Sequence, residues 1–167
     1  SFTVKPGEIM GLIGQNGAGK TTTFRMILNF LTPDSGTISW NGQPLTAKDY
    51  DIIGYLPEER GLYPKMRVRD QIVYFARLRG MKTAEIKARI PEWLERFQVK
   101  GKATDKIKDL SKGNQQKVQV IATIIHMPKL VILDEPFSGL DPVNASLLMA
   151  GIEMLKDNGA AIIYSSH

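Results

Sequence analysis

The sequence lacks cysteine altogether, which excludes disulfide bonds and every metal site built on thiolates. It also lacks any apolar run approaching the roughly 18 residues that a membrane-spanning helix needs. No internal repeat or low-complexity segment occurs. Because 43% of the 167 residues are nonetheless hydrophobic, the chain fits one domain with a hydrophobic core of its own.

The formal net charge of +5 is distributed unevenly along the chain. Residues 65–117 carry 15 basic and 6 acidic side chains, whereas the rest of the chain carries 7 basic and 11 acidic ones. A basic segment of this kind fits nucleic acid, an anionic membrane surface, an acidic protein partner, or simply a solvated helical surface. Because no aromatic stacking pattern or nucleic-acid motif accompanies the charge, we expect no nucleic-acid partner.

A glycine-rich segment follows the apolar residues 9–13 and precedes a helical pattern of apolar residues. It reads Gly14-Gln15-Asn16-Gly17-Ala18-Gly19-Lys20-Thr21 and matches G-x-x-x-x-G-K-T, the phosphate-binding P-loop. Glycines let successive backbone N–H groups approach phosphate oxygens, and the following helix N-terminus favours an anion. Lys20 adds a full charge, Thr21 offers a hydroxyl to Mg²⁺, and Thr22 is a further donor to phosphate. An ordinary glycine turn is the alternative, but the complete motif with both flanks predicts a nucleotide site.

Two carboxylates follow a buried strand predicted at residues 130–133. Asp134, at the end of that strand, suits Mg²⁺ because a hard cation prefers oxygen ligands. Glu135 lies one residue further on, where its carboxylate can polarise a water for attack on the γ-phosphate. The alternative is that both carboxylates only cap the following turn. Together with the P-loop, they predict a nucleotide-hydrolysing site.

Strands and helices alternate along the chain, which predicts an α/β fold with a mainly parallel sheet. Residues 9–13 are nearly all apolar and are expected to form a central strand buried on both faces. Residues 160–164 form the last predicted strand, where we expect an unpaired sheet edge. The dipeptide Asn41-Gly42 favours a hairpin and indicates a small antiparallel sheet beside the main one.

Helical patterns replace the strands at about residues 65–127, which predicts a helical insert in the sheet. Pro91 lies inside the second of these helices, so we expect either a kink there or two abutting helices. Trp93, on the apolar stripe of the same helix, is interpreted as a core residue rather than a ligand-stacking one.

Six motifs, in this order and spacing, resemble those of the ATPase subunit of ATP-binding cassette (ABC) transporters, and the resemblance covers essentially all 167 residues. They are the P-loop, Tyr55-Leu56-Pro57-Glu58 at the Q-loop, Leu110-Ser111-Lys112-Gly113-Asn114 at the signature, Leu133-Asp134-Glu135-Pro136 after the buried strand, Ser138-Gly139-Leu140-Asp141 at the D-loop, and His167 at the switch position. The chain looks most like the group that serves drug, sodium or other export-type permeases.

The resemblance implies a P-loop NTPase core with a small antiparallel β part and the helical insert, in one ABC ATPase domain spanning 1–167 and truncated at both ends. It implies ATP and Mg²⁺ as cofactors and ATP hydrolysis as the activity. It also implies a position at the cytoplasmic face of the cell membrane, peripheral through transmembrane permease subunits. The family's adenine-stacking aromatic residue would lie upstream of Ser1, and the strand after His167 would be missing.

The resemblance further implies a head-to-tail pair of such domains, identical or not, with two ATP molecules between them. Ser111, Gly113 and Asn114 would then bind the partner's nucleotide, and a helix N-terminus there favours an anion. Asp141 would cross the interface as well as cap its own helix. His167 would contact the γ-phosphate and hold the attacking water, which makes the catalytic set Lys20, Glu135 and His167.

Three positions depart from the family pattern. Glu58 stands where the Q-loop glutamine is usual, and Lys112 and Asn114 stand where the signature has glycine and glutamine. We interpret Asn114 as a shortened amide with the same donors and acceptors, and Lys112 as added positive charge near a phosphate. Glu58 is predicted to join Thr21 and Asp134 at Mg²⁺, because a carboxylate is a strong hard-oxygen ligand. The alternative is a surface ion pair of Glu58 with Arg60 or Arg67.

Two other functions compete with the transport motor. A soluble ABC protein acting on ribosomes or DNA would need paired cassettes or a long coiled-coil insertion, and the sequence contains neither. A degenerate cassette that binds ATP as a structural clamp is disfavoured by Glu135 and His167, while Glu58 keeps that alternative open.

Overall fold

A computed structural model describes residues 1–58 and 63–167 of the chain. Its strands are β1 (Ile9–Ile13), β2 (Ile53–Leu56), β3 (Leu130–Leu133) and β4 (Ala161–Ser166). Its α-helices are α1 (Lys20–Ile27), α2 (Val68–Leu78), α3 (Thr83–Arg96), α4 (Lys112–Ile124) and α5 (Pro142–Asp157). Short 3₁₀ helices cover Ala47–Ile52 and Ile107–Asp109. None of the helices in the described ranges has the length and apolar character needed to cross a membrane.

The four strands form one parallel sheet in the order β1-β4-β3-β2. The α/β class with a parallel sheet is therefore confirmed. The expected position of β1 was wrong, because β1 is an edge strand of the described sheet and Ile13 is 79% exposed. The expected unpaired edge at the last strand was also wrong. β4 lies between β1 and β3 and is hydrogen-bonded to both, since a crossover connection can return the last strand to the middle of a sheet.

The predicted antiparallel part is limited, in the described residues, to one isolated bridge between Trp40 and Gln43. The turn between them has the predicted conformation, with positive φ at Asn41 and Gly42. No ladder extends from this bridge, and Pro44 follows it directly. Proline lacks the N–H that a ladder needs and is disfavoured within sheets. The sequence signal therefore located the turn correctly and overestimated the pairing around it.

Alternate residues of the central strands pack into two hydrophobic clusters, one on each face of the sheet. Leu130 and Ile132 pack with Phe24 and Leu28, at α1, on one face. Val131 and Leu133 face the other cluster, which gathers apolar residues of α2, α3, α4 and α5. Side chains of successive strand residues point to opposite faces, so a strand buried on both faces reads as a continuous apolar run.

The region predicted as a helical insert contains α2, α3 and α4. α3 is one continuous helix through Pro91, so the alternative of two abutting helices was wrong. Trp93 is 4% exposed and stacks on Phe97, which confirms it as a core residue. Apolar residues of these helices share one cluster with Leu56 of β2, so the helices are held directly against the sheet.

Candidate functional site

The P-loop connects β1 to α1 and lies at the C-terminal edge of the sheet. Gly17 and Gly19 have φ values of +85° and +93°, a region that residues with a Cβ rarely adopt. A Cβ added at either position would meet no atom within 4 Å. Glycine is therefore needed here for its backbone conformation and not for lack of space. Helix α1 begins at Lys20 with Gly19 as its N-cap, so the loop leads directly into a helix N-terminus.

The Lys20 ammonium is held by three oxygen atoms, one from the P-loop and two from other parts of the chain. It donates to the carbonyl of Gly14, to the carbonyl of Ser166 at 2.9 Å, and to Oε1 of Glu135 at 3.2 Å. These acceptors match the three N–H donors of an ammonium group. The side chain is only 11% exposed, so the charge is fixed in position before a ligand arrives.

The Asp134 carboxylate is 1% exposed and receives two hydroxyl donors. Thr21 Oγ1 donates to Oδ2 at 2.8 Å, and Ser165 Oγ donates to Oδ1 at 2.7 Å. Within residues 1–58 and 63–167, no ion pair involves Asp134. A buried carboxylate without a cation fits a metal ligand, because burying a charge is costly unless a positive charge accompanies it.

Glu135 has a left-handed backbone conformation, with φ of +50°. Its N–H donates to Ser165 Oγ at 2.9 Å, and its carboxylate contacts Lys20 on one side and His167 Nδ1 on the other, the latter at 3.1 Å. Burial raises the pKa of the Glu135 carboxyl, but hydrogen bonds from His167 and Lys20 outweigh it and bring the pKa below the ordinary value. The carboxylate is therefore ionised at neutral pH.

One pocket collects most of the predicted nucleotide and metal residues. Glu58 lines it from the end of β2, and the carboxylates line it from the end of β3. The lining residues are Asn16, Gly17, Gly19, Lys20, Thr21, Thr22, Glu58, Asp134 and Glu135. The C-terminal ends of parallel strands are where open α/β sheets bind ligands. The interpretation of the carboxylates as turn caps alone does not explain their contacts with Lys20 and Thr21.

A second group of predicted residues lies at the N-termini of α4 and α5 and does not line this pocket. Ser111 is the N-cap of α4 and accepts from both the backbone and side-chain amides of Asn114. Asp141 is the N-cap of α5 and accepts from Asn144, which confirms the predicted cap followed by Pro142. A Cβ on Gly113 would lie 3.3 Å from Asn144 Nδ2, so the two helix starts are in contact.

The amide of Asn114 is already used within the chain. Its Oδ1 accepts from the backbone N–H of Lys100 at 3.1 Å, and its Nδ2 donates to Ser111. This helps to explain why an asparagine fits where a longer glutamine is usual, since its amide reaches Ser111 one turn away.

Sequence reasoning missed two residues that organise the site. Ser165 joins the Asp134 carboxylate to the backbone N–H of Glu135, and Gln116 donates to the carbonyls of Pro136 and Ser138 in the turn that follows Glu135. A serine in a strand and a glutamine in a buried helix carry no local motif. Only the pairing of β3 with β4, which places Tyr164 opposite Leu133, could have pointed to Ser165.

Comparisons with known proteins agree with this geometry. A family profile described as ABC transporter matches residues 1–138. The chain is 56% identical over 160 residues to the "Uncharacterized ABC transporter ATP-binding protein YhaQ" of Bacillus subtilis (strain 168), covering 96% of this chain and 54% of that protein. It is 36% identical over 170 residues to the "Linearmycin resistance ATP-binding protein LnrL" of the same organism, covering 100% of this chain and 55% of that protein. The chain thus spans about half the length of these curated relatives.

A solved structure gives the same result for the fold. The chain superposes on the "Structure of ATP binding subunit of ABC transporter" with a TM-score of 0.87 and 35% identity, over 99% of this chain and 70% of that one. The pocket, the fold and the sequence matches agree, and the chain belongs to the ABC transporter family.

Proposed function

We propose that this chain is the ATP-binding and ATP-hydrolysing motor of a transporter, which closes and reopens an ATP-sandwich dimer to power a membrane permease. One observation carries the proposal. Lys20, Thr21, Asp134, Glu135 and His167 come from three separate parts of the sequence, and direct contacts join them at one edge of the sheet. The likeness to a relative named for linearmycin resistance supports an export-type permease.

The P-loop would bind the phosphates of ATP. Backbone amides of Asn16, Gly17 and Gly19 would donate to the anion, with the partial positive charge of the helix N-terminus behind them. The N–H of Ala18 donates to the carbonyl of Gln15 at 3.1 Å. Lys20 exchanges its contacts for oxygens of the β- and γ-phosphates, and Thr22 donates a further hydrogen bond from the same pocket. Gly14 and Ala18 keep the loop compact, since a Cβ on Gly14 would lie 3.2 Å from that of Ala18.

The residues present fit Mg²⁺ that arrives with the nucleotide. Asp134 is buried and forms no ion pair with another described residue, Thr21 supplies a hydroxyl, and Glu58 adds a second carboxylate from the same pocket. Within the described residues, no cluster of three or more acidic, histidine or cysteine side chains forms a metal site by itself. This donor set suits Mg²⁺, which keeps several waters and takes few protein ligands beside substrate phosphates. When bound, the ion would neutralise charge on the β- and γ-phosphates.

Glu135 would act as the general base. Its ionised carboxylate accepts a proton from water as the water oxygen bonds to the γ-phosphorus. The bond between that phosphorus and the bridging oxygen breaks, so ADP leaves with the bridging electron pair and inorganic phosphate is formed. His167, hydrogen-bonded to Glu135 through Nδ1, holds the base in place and would contact the γ-phosphate with Nε2.

The dimer would complete each site. Ser111, Gly113 and Asn114 lie outside the P-loop pocket of their own chain, at a helix start that favours an anion, so they suit the phosphates of a second subunit. Asp141 would reach the same interface. The partner is a second ABC ATPase subunit, identical or different, and no nucleic acid takes part. Permease subunits would hold the pair at the cytoplasmic face of the cell membrane.

An ATP turnover assay on the full-length protein, with and without membranes, tests this function. We expect turnover that Glu135→Gln lowers by on the order of 10²- to 10⁴-fold, because an amide cannot accept the proton. ATP binding should persist, and ATP-bound dimers should accumulate in gel filtration. Glu153→Gln removes an exposed carboxylate of α5 and is the matched control. Turnover by Glu135→Gln within a few-fold of wild type would exclude Glu135 as the base, and ATP binding without any wild-type turnover would indicate a structural clamp.

A further inference from the structure

The side chain of Gln116 ties α4 to the turn that follows Glu135. Its Nε2 donates to the carbonyl of Pro136 at 2.9 Å and to that of Ser138 at 3.1 Å, so both amide hydrogens are used. Gln116 is only 9% exposed. A buried amide that donates to two carbonyls of one turn restrains the backbone of that turn at two positions instead of one.

The turn so held connects two proposed functional residues. Glu135 lies at its start in a left-handed conformation, which is rare for a residue with a Cβ and persists only where neighbouring contacts impose it. Asp141 lies at its end, as the N-cap of α5. Within the turn, the N–H of Ser138 donates to the carbonyl of Glu135 at 3.3 Å. A shift of the turn would therefore move the backbone that aims the Glu135 carboxylate.

The start of α4 contacts the far end of the same segment. A Cβ on Gly113 would lie 3.3 Å from Asn144 Nδ2, and that nitrogen donates to Asp141 Oδ1. Displacement of the α4 N-terminus therefore reaches the segment at two places, through Gln116 near Glu135 and through Gly113 near Asp141.

We propose that Gln116 is a positioning residue that sets the geometry of Glu135 according to where α4 lies. The proposal rests on the function given above, in which a nucleotide engages Ser111 and Gly113 at the start of α4. The Gln116 amide would pass a displacement of that helix to the base of the same subunit, although Gln116 touches neither the nucleotide nor the attacking water.

The chain provides a matched control in the neighbouring residue. Gln115 Nε2 also donates to two carbonyls, those of Ile107 at 2.9 Å and Leu110 at 3.1 Å. Its acceptors lie before α4, away from the turn after Glu135. Methionine keeps the length of either side chain and removes both donors, so Gln115→Met and Gln116→Met lose the same number of hydrogen bonds in different places.

The test compares both variants in the full-length protein by ATP turnover, ATP affinity and backbone amide hydrogen exchange. For Gln116→Met we expect kcat to fall about 10- to 100-fold, because small misplacements of a reacting group are costly, while ATP affinity stays unchanged. The amides of Ser138 and Leu140, which donate within the turn, should exchange faster in the nucleotide-free protein. Gln115→Met should leave kcat and these two amides near wild type.

Wild-type kcat and wild-type exchange in Gln116→Met would overturn the proposal. Equal losses of kcat in both variants, in step with equal losses of stability, would overturn it too, since that pattern is purely structural. Gln116→Glu, which has the same size but no donor when ionised, repeats the test if Gln116→Met does not fold. If the wild-type protein binds ATP without turning it over, the proposed function fails, while the exchange measurement still decides whether Gln116 holds the turn.

Discussion

The ammonium nitrogen of Lys20 lies 3.2 Å from Oε1 of Glu135, although the two residues are 115 positions apart in sequence. Both side chains are largely buried, at 11% and 7% exposure. The proposed phosphate-binding cation and the proposed base are thus paired before a nucleotide arrives. A phosphate that takes Lys20 removes one of the hydrogen bonds that lower the pKa of Glu135, which makes that carboxylate a better proton acceptor.

Lys20→Ala should weaken ATP binding, since a charge-assisted contact worth about 1.5–3 kcal/mol is lost, equivalent to about 10- to 150-fold in affinity. The backbone amides of the P-loop remain, so binding should not vanish. Calorimetric titration of wild type, Lys20→Ala and the exposed control Lys87→Ala measures this. Equal ATP affinity in all three proteins would contradict the phosphate role of Lys20.

Glu58→Gln should lower the apparent affinity for Mg²⁺ and improve the binding of metal-free ATP. A carboxylate in the phosphate pocket repels the nucleotide unless a cation lies between them, and Mg²⁺ is that cation in our proposal. Arg60 lies outside the described residues, and Arg67 donates to the carbonyl of Thr104 at 2.8 Å. Titration of Mg²⁺ against ATPase rate in both proteins is the measurement, and superimposable curves would exclude the metal role.

His126→Gln should make stability less sensitive to acid. Burial lowers the pKa of His126 to about 4, and its neutral ring donates from Nε2 to the carbonyl of Ile53 at 3.0 Å. Because the unfolded chain takes up the proton first, stability falls as the pH drops from the ordinary pKa of 6.5 towards 4, by about 3 kcal/mol in all. Glutamine keeps a donor for Ile53 and does not titrate.

Urea unfolding of both proteins at about pH 7 and about pH 4.5 measures this difference, because most of the proton-linked loss lies between those values. Wild type should lose more free energy of unfolding than His126→Gln. Equal losses in the two proteins would mean that the pKa of His126 does not differ between the folded and unfolded states, which would contradict the prediction. The charged neighbours Arg79 and Asp51, which act on this ring in opposite directions, are unchanged in the variant.

Gly54→Ala should destabilise the fold by about 1–3 kcal/mol, the usual cost of overpacking a core. A Cβ at this position of β2 would lie 2.8 Å from the carbonyl oxygen of Thr123 and 3.0 Å from Pro128 Cγ. Gly11→Ala, on β1, is the comparison, because the nearest atoms to its Cβ would belong to the Tyr164 side chain, at 3.0 Å or more, rather than to the backbone. Thermal unfolding of both variants is the measurement, and losses of equal size would show that the contact with α4 is not the cause.

The sequence was sufficient for the parts of the site that a short motif encodes. The P-loop and Asp134-Glu135 each combine backbone geometry and chemistry within a few residues, so their spacing predicted the pocket that they line. Ser165 and Gln116 were missed because their partners come from other elements and are set by strand pairing and helix packing. The edge position of β1 was mispredicted for the same reason, since an apolar strand does not reveal how many neighbours it has.

The place of β4 between β1 and β3 also limits which parts of the molecule can move. Gly14 N–H bonds to the carbonyl of Ser166 at one end of β4, and Ser165 holds Asp134 on its other side. Adjacent strands keep a spacing of about 4.8 Å. Because β4 lies between them, the distance between the P-loop and the two carboxylates is therefore expected to stay constant. Opening and closing of the site is therefore expected to occur by movement of α2 and α4, while the four paired strands stay in one rigid frame.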